Sequence, residues 1–204
     1  DLGHMARIMD NLIAEGKCVP MIVVMPNGNF GKQAAAGETA ENLAFRPVST
    51  HLLPHYKDGL FELAFPEIVN YVDATFNTIP DKAHRAIAGL SMGGMHTLMI
   101  TANYPEMFNY IGLYSAGVDF SHLNMEEVPA YANLDAKLTK LAQGNPKLYW
   151  IACGSEDWLL PSNKRLMERM DKDGLKYTFH ESTRGHLWCN WRQYSLLFIP
   201  QLFK

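Results

Sequence analysis

A mostly parallel β-sheet flanked by helices, an α/β class fold in a single domain spanning residues 1–204, is what this sequence predicts. Three observations carry the expectation. The run Met21–Met25 is apolar throughout rather than at every second residue, as suits a strand covered on both faces, and Tyr110–Ser115 and Leu148–Cys153 also read as strands. Segments of helical periodicity alternate with these runs, and strand–helix alternation favours parallel pairing. Finally, Gly89-Leu90-Ser91-Met92-Gly93 stands where a strand pattern gives way to a helix pattern. A Gly-x-Ser-x-Gly turn in that context is a nucleophile elbow.

The elements follow in order. Met5, Ile8, Met9, Leu12 and Ile13 lie on one face of a helix over residues 4–16, stopped at Gly16. Met21–Met25 predicts a buried strand ended by Pro26-Asn27-Gly28. Residues 27–58 read as a long loop with weak helical potential near Lys32–Leu43, and loops of that length are often functional. Phe61, Phe65, Ile68, Val69, Val72 and Phe76 recur at helical spacing, with Pro66 placed in the first turn, where proline is tolerated. The strand at His84–Leu90 enters the elbow, and Met95–Asn103 continues as a helix to Tyr104-Pro105. A strand at Tyr110–Ser115, a helix near Leu134–Ala142 and a strand at Leu148–Cys153 come next. They are followed by a helix at Ser162–Asp173 closed by Gly174, a strand at Tyr177–Glu181 and a final helix over Trp191–Phe203.

Composition narrows the function. Net charge is −3, so no basic face points to nucleic acid as a partner. No apolar run approaches the roughly 20 residues that span a bilayer, so no membrane partner is expected. Cys18, Cys153 and Cys189 are too few and too scattered for a disulfide framework or a zinc site. Free thiols are the simpler reading, with a Cys153–Cys189 bridge left open. The histidines and carboxylates lack the ligand spacing that zinc enzymes use, so no metal site is expected.

The chemistry converges on Ser91. Asp157 lies just past one strand and His186 just past the next, so a parallel sheet brings both to the edge that carries Ser91. Ser91 is then the nucleophile, His186 the general base and Asp157 the residue that orients the imidazole. The Met92 N–H, at the start of a helix, is the candidate oxyanion donor. Glu156, Asp119 and Asp171 compete for the acidic role, but only Glu156 shares the position after a strand. His51 and His55, in the long loop, are candidates to line the site. His4, His84, His96 and His122 read as surface or core-edge residues, and His180 as part of a strand. Asn27, Gly28, Asn29 and Phe30 follow a strand end and are expected to floor the substrate site. Trp158, beside the candidate acid, offers an aromatic face, with core packing as the alternative. Trp188 and Trp191 are expected to pack the His186 loop.

Gly89-Leu90-Ser91-Met92-Gly93-Gly94, the Gly-x-x-Asp of Gly154–Asp157 and Gly185-His186-x-Trp188-x-x-Trp191 together resemble the esterase D-like group of α/β-hydrolases. So do Met25-Pro26-Asn27-Gly28 and Tyr104-Pro105-x-x-Phe108. The order Ser…Asp…His is also that of α/β-hydrolases. The group includes carbohydrate esterase family one, with feruloyl and acetylxylan esterases. The resemblance implies an α/β-hydrolase fold and a serine esterase that needs no cofactor. It further implies a feruloylated or acetylated oligosaccharide as substrate, with release of ferulate or acetate from plant cell-wall xylan. A secreted or periplasmic location follows from that substrate. Siderophore esterases and S-formylglutathione-type thioesterases share the elbow and are the alternative enzyme reading. A catalytically silent binding module is the alternative outside enzymes.

One departure accompanies the likeness. The family carries further strands and a His-Gly-rich loop ahead of the helix at residues 4–16, and that loop supplies a second oxyanion N–H. In the family's sheet the strand leading into it lies between those matching Met21–Met25 and His84–Leu90. The fold is therefore expected to be truncated at its N-terminus, with the gap filled by a missing N-terminal segment, by self-association or by a rearranged sheet.

Overall fold

The computed structural model describes residues 3–26, 28, 58–121 and 124–204. Six α-helices and four strands are set out among these residues: α1 (Met5–Ala14), α2 (Leu60–Thr75), β1 (Ala86–Leu90), α3 (Met92–Asn103), β2 (Tyr110–Tyr114), α4 (Leu134–Gln143), β3 (Leu148–Gly154), α5 (Leu160–Asp173), β4 (Thr178–Ser182) and α6 (Trp188–Phe198). The sheet order is β1-β2-β3-β4 and every pair is parallel. Each strand therefore ends on the same edge. The register aligns Leu90 with Tyr114, Tyr114 with Ala152, and Gly154 with Ser182.

Side-chain alternation divides the core into two layers. Ile111, Leu113, Tyr149 and Ile151 join Leu98 and Met99 of α3, Leu138 and Leu141 of α4, and Leu166 and Met170 of α5. The intervening Tyr110, Tyr114, Trp150 and Ala152 point the other way, onto Trp191, Tyr194 and Phe198 of α6. Helix α1 buries Ile8, Met9 and Leu12 against Ile199. Among the described residues no helix is long and apolar enough to cross a membrane.

Three expectations are corrected. Met21–Met25 forms no strand, and Ile22, Val23, Val24 and Met25 are 42–76% exposed. Apolar β-branched residues favour a strand only where a neighbouring backbone pairs with them, and no described strand lies alongside. The only described neighbour of β1 is β2, so direct pairing of the two runs does not close the sheet. Pro66 stands inside α2 rather than in its first turn, because the helix begins at Leu60, whose N–H is held by Asp58 Oδ1 at 3.0 Å. The last helix starts earlier, at Trp188, and ends at Phe198; Pro200 falls in a following 3₁₀ turn, Ile199–Gln201. The long loop apart from Gly28 and Asp58 lies outside the described residues, and with it Asn27, Asn29, Phe30, His51 and His55; so does His122.

Candidate active site

Ser91 sits between β1 and α3 with φ 53° and ψ −118°. A non-glycine residue in such a conformation costs roughly 1–3 kcal/mol and persists only where its surroundings enforce it. Here both of its peptide groups are bolted down. The Ser91 N–H donates to Tyr114 O at 2.9 Å, and Ser91 O accepts from Gly117 N–H at 2.7 Å and Met95 N–H at 3.2 Å. The end of β2 thus holds the turn from the side. The elbow also needs Gly89: a Cβ there would stand 2.0 Å from Gly93 O.

The three expected side chains meet. Ser91 Oγ lies 3.0 Å from His186 Nε2, across 95 residues of sequence. His186 Nδ1 lies 3.0 Å from Asp157 Oδ2 and 3.2 Å from Oδ1. The Asp157 side chain is 0% exposed and that of His186 19%. A carboxylate can only accept, so it fixes the tautomer with the proton on Nδ1 and leaves Nε2 to accept the Ser91 hydroxyl proton. The Leu159 N–H donates to Asp157 Oδ1 at 2.9 Å and fixes the carboxylate in turn. Of the competing acids, Glu156 and Asp171 are exposed, and Asp119 accepts from Ser121. Met92 is the first residue of α3, so its N–H is one of four that the helix leaves without an acceptor.

Aromatic rings hold the imidazole. Trp191 meets His186 edge-on at 4.8 Å, Trp158 lies tilted at 5.3 Å, and Trp188 packs edge-on against Trp191 at 5.0 Å. Trp158 is 71% exposed, so it is no part of the core. The packing expected of Trp188 and Trp191 is therefore observed.

Several positioning groups gave no signal in the sequence. The Trp191 Nε1–H donates to the buried Ser115 Oγ at 3.1 Å. The Asn190 Nδ2 group donates to Thr183 O at 2.9 Å and Gly185 O at 3.0 Å, stapling the loop that presents His186. Gly154 permits this loop to pass, since a Cβ there would stand 2.1 Å from Arg184 O. An asparagine soon after a loop histidine is unremarkable as sequence; only the fold shows its two carbonyl partners. Asn190→Ala should lower kcat for a model ester by about 10- to 100-fold, because small misplacements of a base are costly. Its Tm should fall by about 3–8 °C for the loss of a buried polar contact worth ~1–3 kcal/mol. Unchanged kinetics with p-nitrophenyl acetate would show that the loop keeps its shape without the staple.

The other groups are placed elsewhere. Gly28 stands by His96 Nε2, where a Cβ would lie 3.4 Å away. His96 is buried, against the expectation of a surface or core-edge position, because Glu62 pairs with it inside the core. His84 bonds Asp81, and His180 stacks on Trp150. The described cysteines are free thiols, so Cys153 and Cys189 are not bridged. Burial, reinforced by the negative charge of Asp157, pushes the Cys153 thiol up to about 12, and it stays protonated at neutral pH. Among the described residues no three His, Cys, Asp or Glu side chains gather as a metal site.

Comparison with known proteins bears on the family and the fold. The chain is 40% identical over 115 residues to an endo-1,4-beta-xylanase/feruloyl esterase of Xylanibacter ruminicola, covering 56% of this chain and 14% of that protein. It is 27% identical over 157 residues to an acetyl esterase of Caldicellulosiruptor saccharolyticus, covering 63% of this chain and 58% of the relative. Less than two thirds of either relative's length is thus spanned. A solved ferulic acid esterase superposes with a TM-score of 0.71 at 24% identity, over 98% of this chain and 77% of that one, which establishes an α/β-hydrolase fold. The profile of the Esterase family matches residues 1–197, and the chain belongs to that family.

Proposed function

We propose that this chain is a serine esterase that cleaves carboxylic esters through an acyl-enzyme, and that its natural substrate is a feruloyl ester on plant cell-wall xylan. The observation that carries the reading is the unbroken line from Asp157 through His186 to Ser91 Oγ, with both hydrogen bonds at 3.0 Å. In the forward half-reaction Ser91 Oγ attacks the acyl carbon while His186 Nε2 takes the hydroxyl proton. The carbonyl oxygen becomes an oxyanion beside the Met92 N–H at the positive end of α3. Collapse breaks the bond to the alcohol oxygen, which receives the proton from His186. Water then repeats the sequence: His186 takes its proton, the hydroxyl oxygen bonds the acyl carbon, and Ser91 leaves with the proton returned. Asp157 stays ionised throughout and stabilises the imidazolium. No step calls for a cofactor.

The acyl group is inferred from Trp158. A largely exposed indole beside the imidazole is a flat surface suited to stacking a hydroxycinnamoyl ring, and such a contact is worth about 0.5–1.5 kcal/mol beyond area burial. The two relatives, a xylanase/feruloyl esterase and an acetyl esterase by name, support ester cleavage and leave acetate as the competing acyl group. Gly28, which stands beside His96, is assigned to the floor of this site. Polymeric substrate implies action outside the cytoplasm, secreted or periplasmic.

Ferulate release from methyl ferulate and from feruloylated arabinoxylan, set against acetate release from acetylxylan, tests the proposal. Trp158→Ala should raise KM for methyl ferulate about tenfold and change p-nitrophenyl acetate hydrolysis less than about threefold. Hydrolysis of acetyl esters alone would replace ferulate by acetate. Failure of a fluorophosphonate to label Ser91, together with no cleavage of any ester, would leave the binding-module reading.

A further inference from the structure

Asn163 stands near the start of α5 and is 0% exposed. Its Nδ2 group donates to Ala116 O and to Leu159 O, each at 2.9 Å. The two carbonyls belong to different arms of the candidate site. Ala116 lies between Tyr114, whose carbonyl holds the Ser91 N–H, and Gly117, whose N–H holds Ser91 O. It also stands against α3: a Cβ on Gly94 would come within 2.7 Å of the Ala116 Cβ. Leu159 is the residue whose N–H donates to Asp157 Oδ1 at 2.9 Å. One buried amide therefore ties the bracket of the nucleophile to the bracket of the acid, reaching across 47 residues of sequence to Ala116.

Neither carbonyl needs this tie to be satisfied. Leu159 O already accepts from the Asn163 backbone N–H at 3.0 Å and from Ser162 Oγ at 2.8 Å, which fills its two lone pairs. Ala116 O already accepts from the Val118 N–H at 2.9 Å. The amide's own Oδ1 is buried without a hydrogen-bond partner among the described residues, which costs stability. Turning the amide over would set Oδ1 against two carbonyl oxygens, so the donors stay where they are. A buried group that meets no unmet need and leaves one atom unpaired is not explained by stability. Such costs are retained where function uses the geometry. We propose that Asn163 is a positioning residue for the ester reaction: it fixes the Asp157 turn relative to the Ser91 elbow, and so sets how His186 Nε2 meets Ser91 Oγ. The inference rests on reading Ser91, His186 and Asp157 as the reacting groups. Asn163 acts through Ala116 and Leu159, not on the ester.

Asn163→Leu keeps the branched shape of the side chain and removes its donors and its unpaired acceptor. It should lower kcat for p-nitrophenyl acetate about 10- to 100-fold and leave KM within about threefold. Its Tm should stay within about 3 °C of the parent or rise, because no carbonyl is left without a donor. The low-field proton resonance of the His186 Nδ1–H, in its bond to Asp157, should shift or broaden. A kcat within about threefold of the parent, or an unmoved resonance, would overturn the proposal. So would a Tm fall of more than about 3 °C in Asn163→Leu, which would make the tie structural. If Asn163→Leu is insoluble, Asn163→Ala takes its place and is judged on kcat, KM and the resonance. If the parent cleaves no ester and a fluorophosphonate does not label Ser91, the reading of the reacting groups fails instead. The resonance, which needs no turnover, then decides whether Asn163 sets the Asp157–His186 pair.

Discussion

Ser91→Ala is expected to lower kcat for p-nitrophenyl acetate by about 10⁴- to 10⁶-fold with KM nearly unchanged. On the proposed mechanism the substitution removes the protein atom that attacks the acyl carbon and leaves His186 without a hydroxyl proton to take. The residual rate comes from substrate binding and the oxyanion donor, which act without a nucleophile. The fold should survive, because the hydrogen bonds holding the elbow run from the Ser91 backbone to Tyr114, Gly117 and Met95, and alanine keeps all of them. Steady-state hydrolysis and intact-protein mass after fluorophosphonate treatment read the result. A loss smaller than about tenfold would place the nucleophile elsewhere and dissolve the triad.

Gly89→Ala should abolish the site by a different route. The added methyl would stand 2.0 Å from Gly93 O, 2.2 Å from Gly93 C and 2.8 Å from Gly94 N. All three are backbone atoms, so relief requires moving α3 away from β1 and unmaking the conformation of Ser91. Overpacking that no side chain can relieve exceeds the usual 1–3 kcal/mol, and a Tm fall of about 10 °C or an insoluble chain is expected, with activity lost. Gly93→Ala is the control. Nothing stands within 4 Å of its Cβ, and alanine favours a helix over glycine, so its melting temperature should stay within about 3 °C. Similar melting of the two variants would show that the close crossing at Gly89 is not what shapes the turn.

The meeting of Ser91, Asp157 and His186 was legible because its logic is positional. A parallel sheet sends every strand end to one edge, so a residue just past a strand is a candidate wherever it lies in the chain. Ser91, Asp157 and His186 each follow a strand, and the alternation of strands and helices already implied parallel pairing. Gly89 and Gly93 marked the turn for the same reason: only a residue without a side chain lets a strand and a helix cross so closely, and of the two it is Gly89 that the crossing uses.

Met21–Met25 shows the limit of such reading. Its apolar, β-branched composition states a preference for a buried strand, but a strand exists only where a second backbone supplies the opposing donors and acceptors. His96 shows the same limit from the other side. As sequence it is one histidine on a helix, and only the approach of Glu62 from α2 turns it into a buried pair. Asn190 and Ser115 likewise take their roles from carbonyls and an indole contributed by other elements.

Periodicity along the chain was enough to name the helices, most strands and the order of the three candidate side chains, because amphipathic spacing and glycine placement are local properties. The pairing of β1, the burial of His96 and the bracing of the His186 loop came only with the fold. Each depends on atoms far apart in sequence lying within a few ångströms, and no local preference encodes that distance.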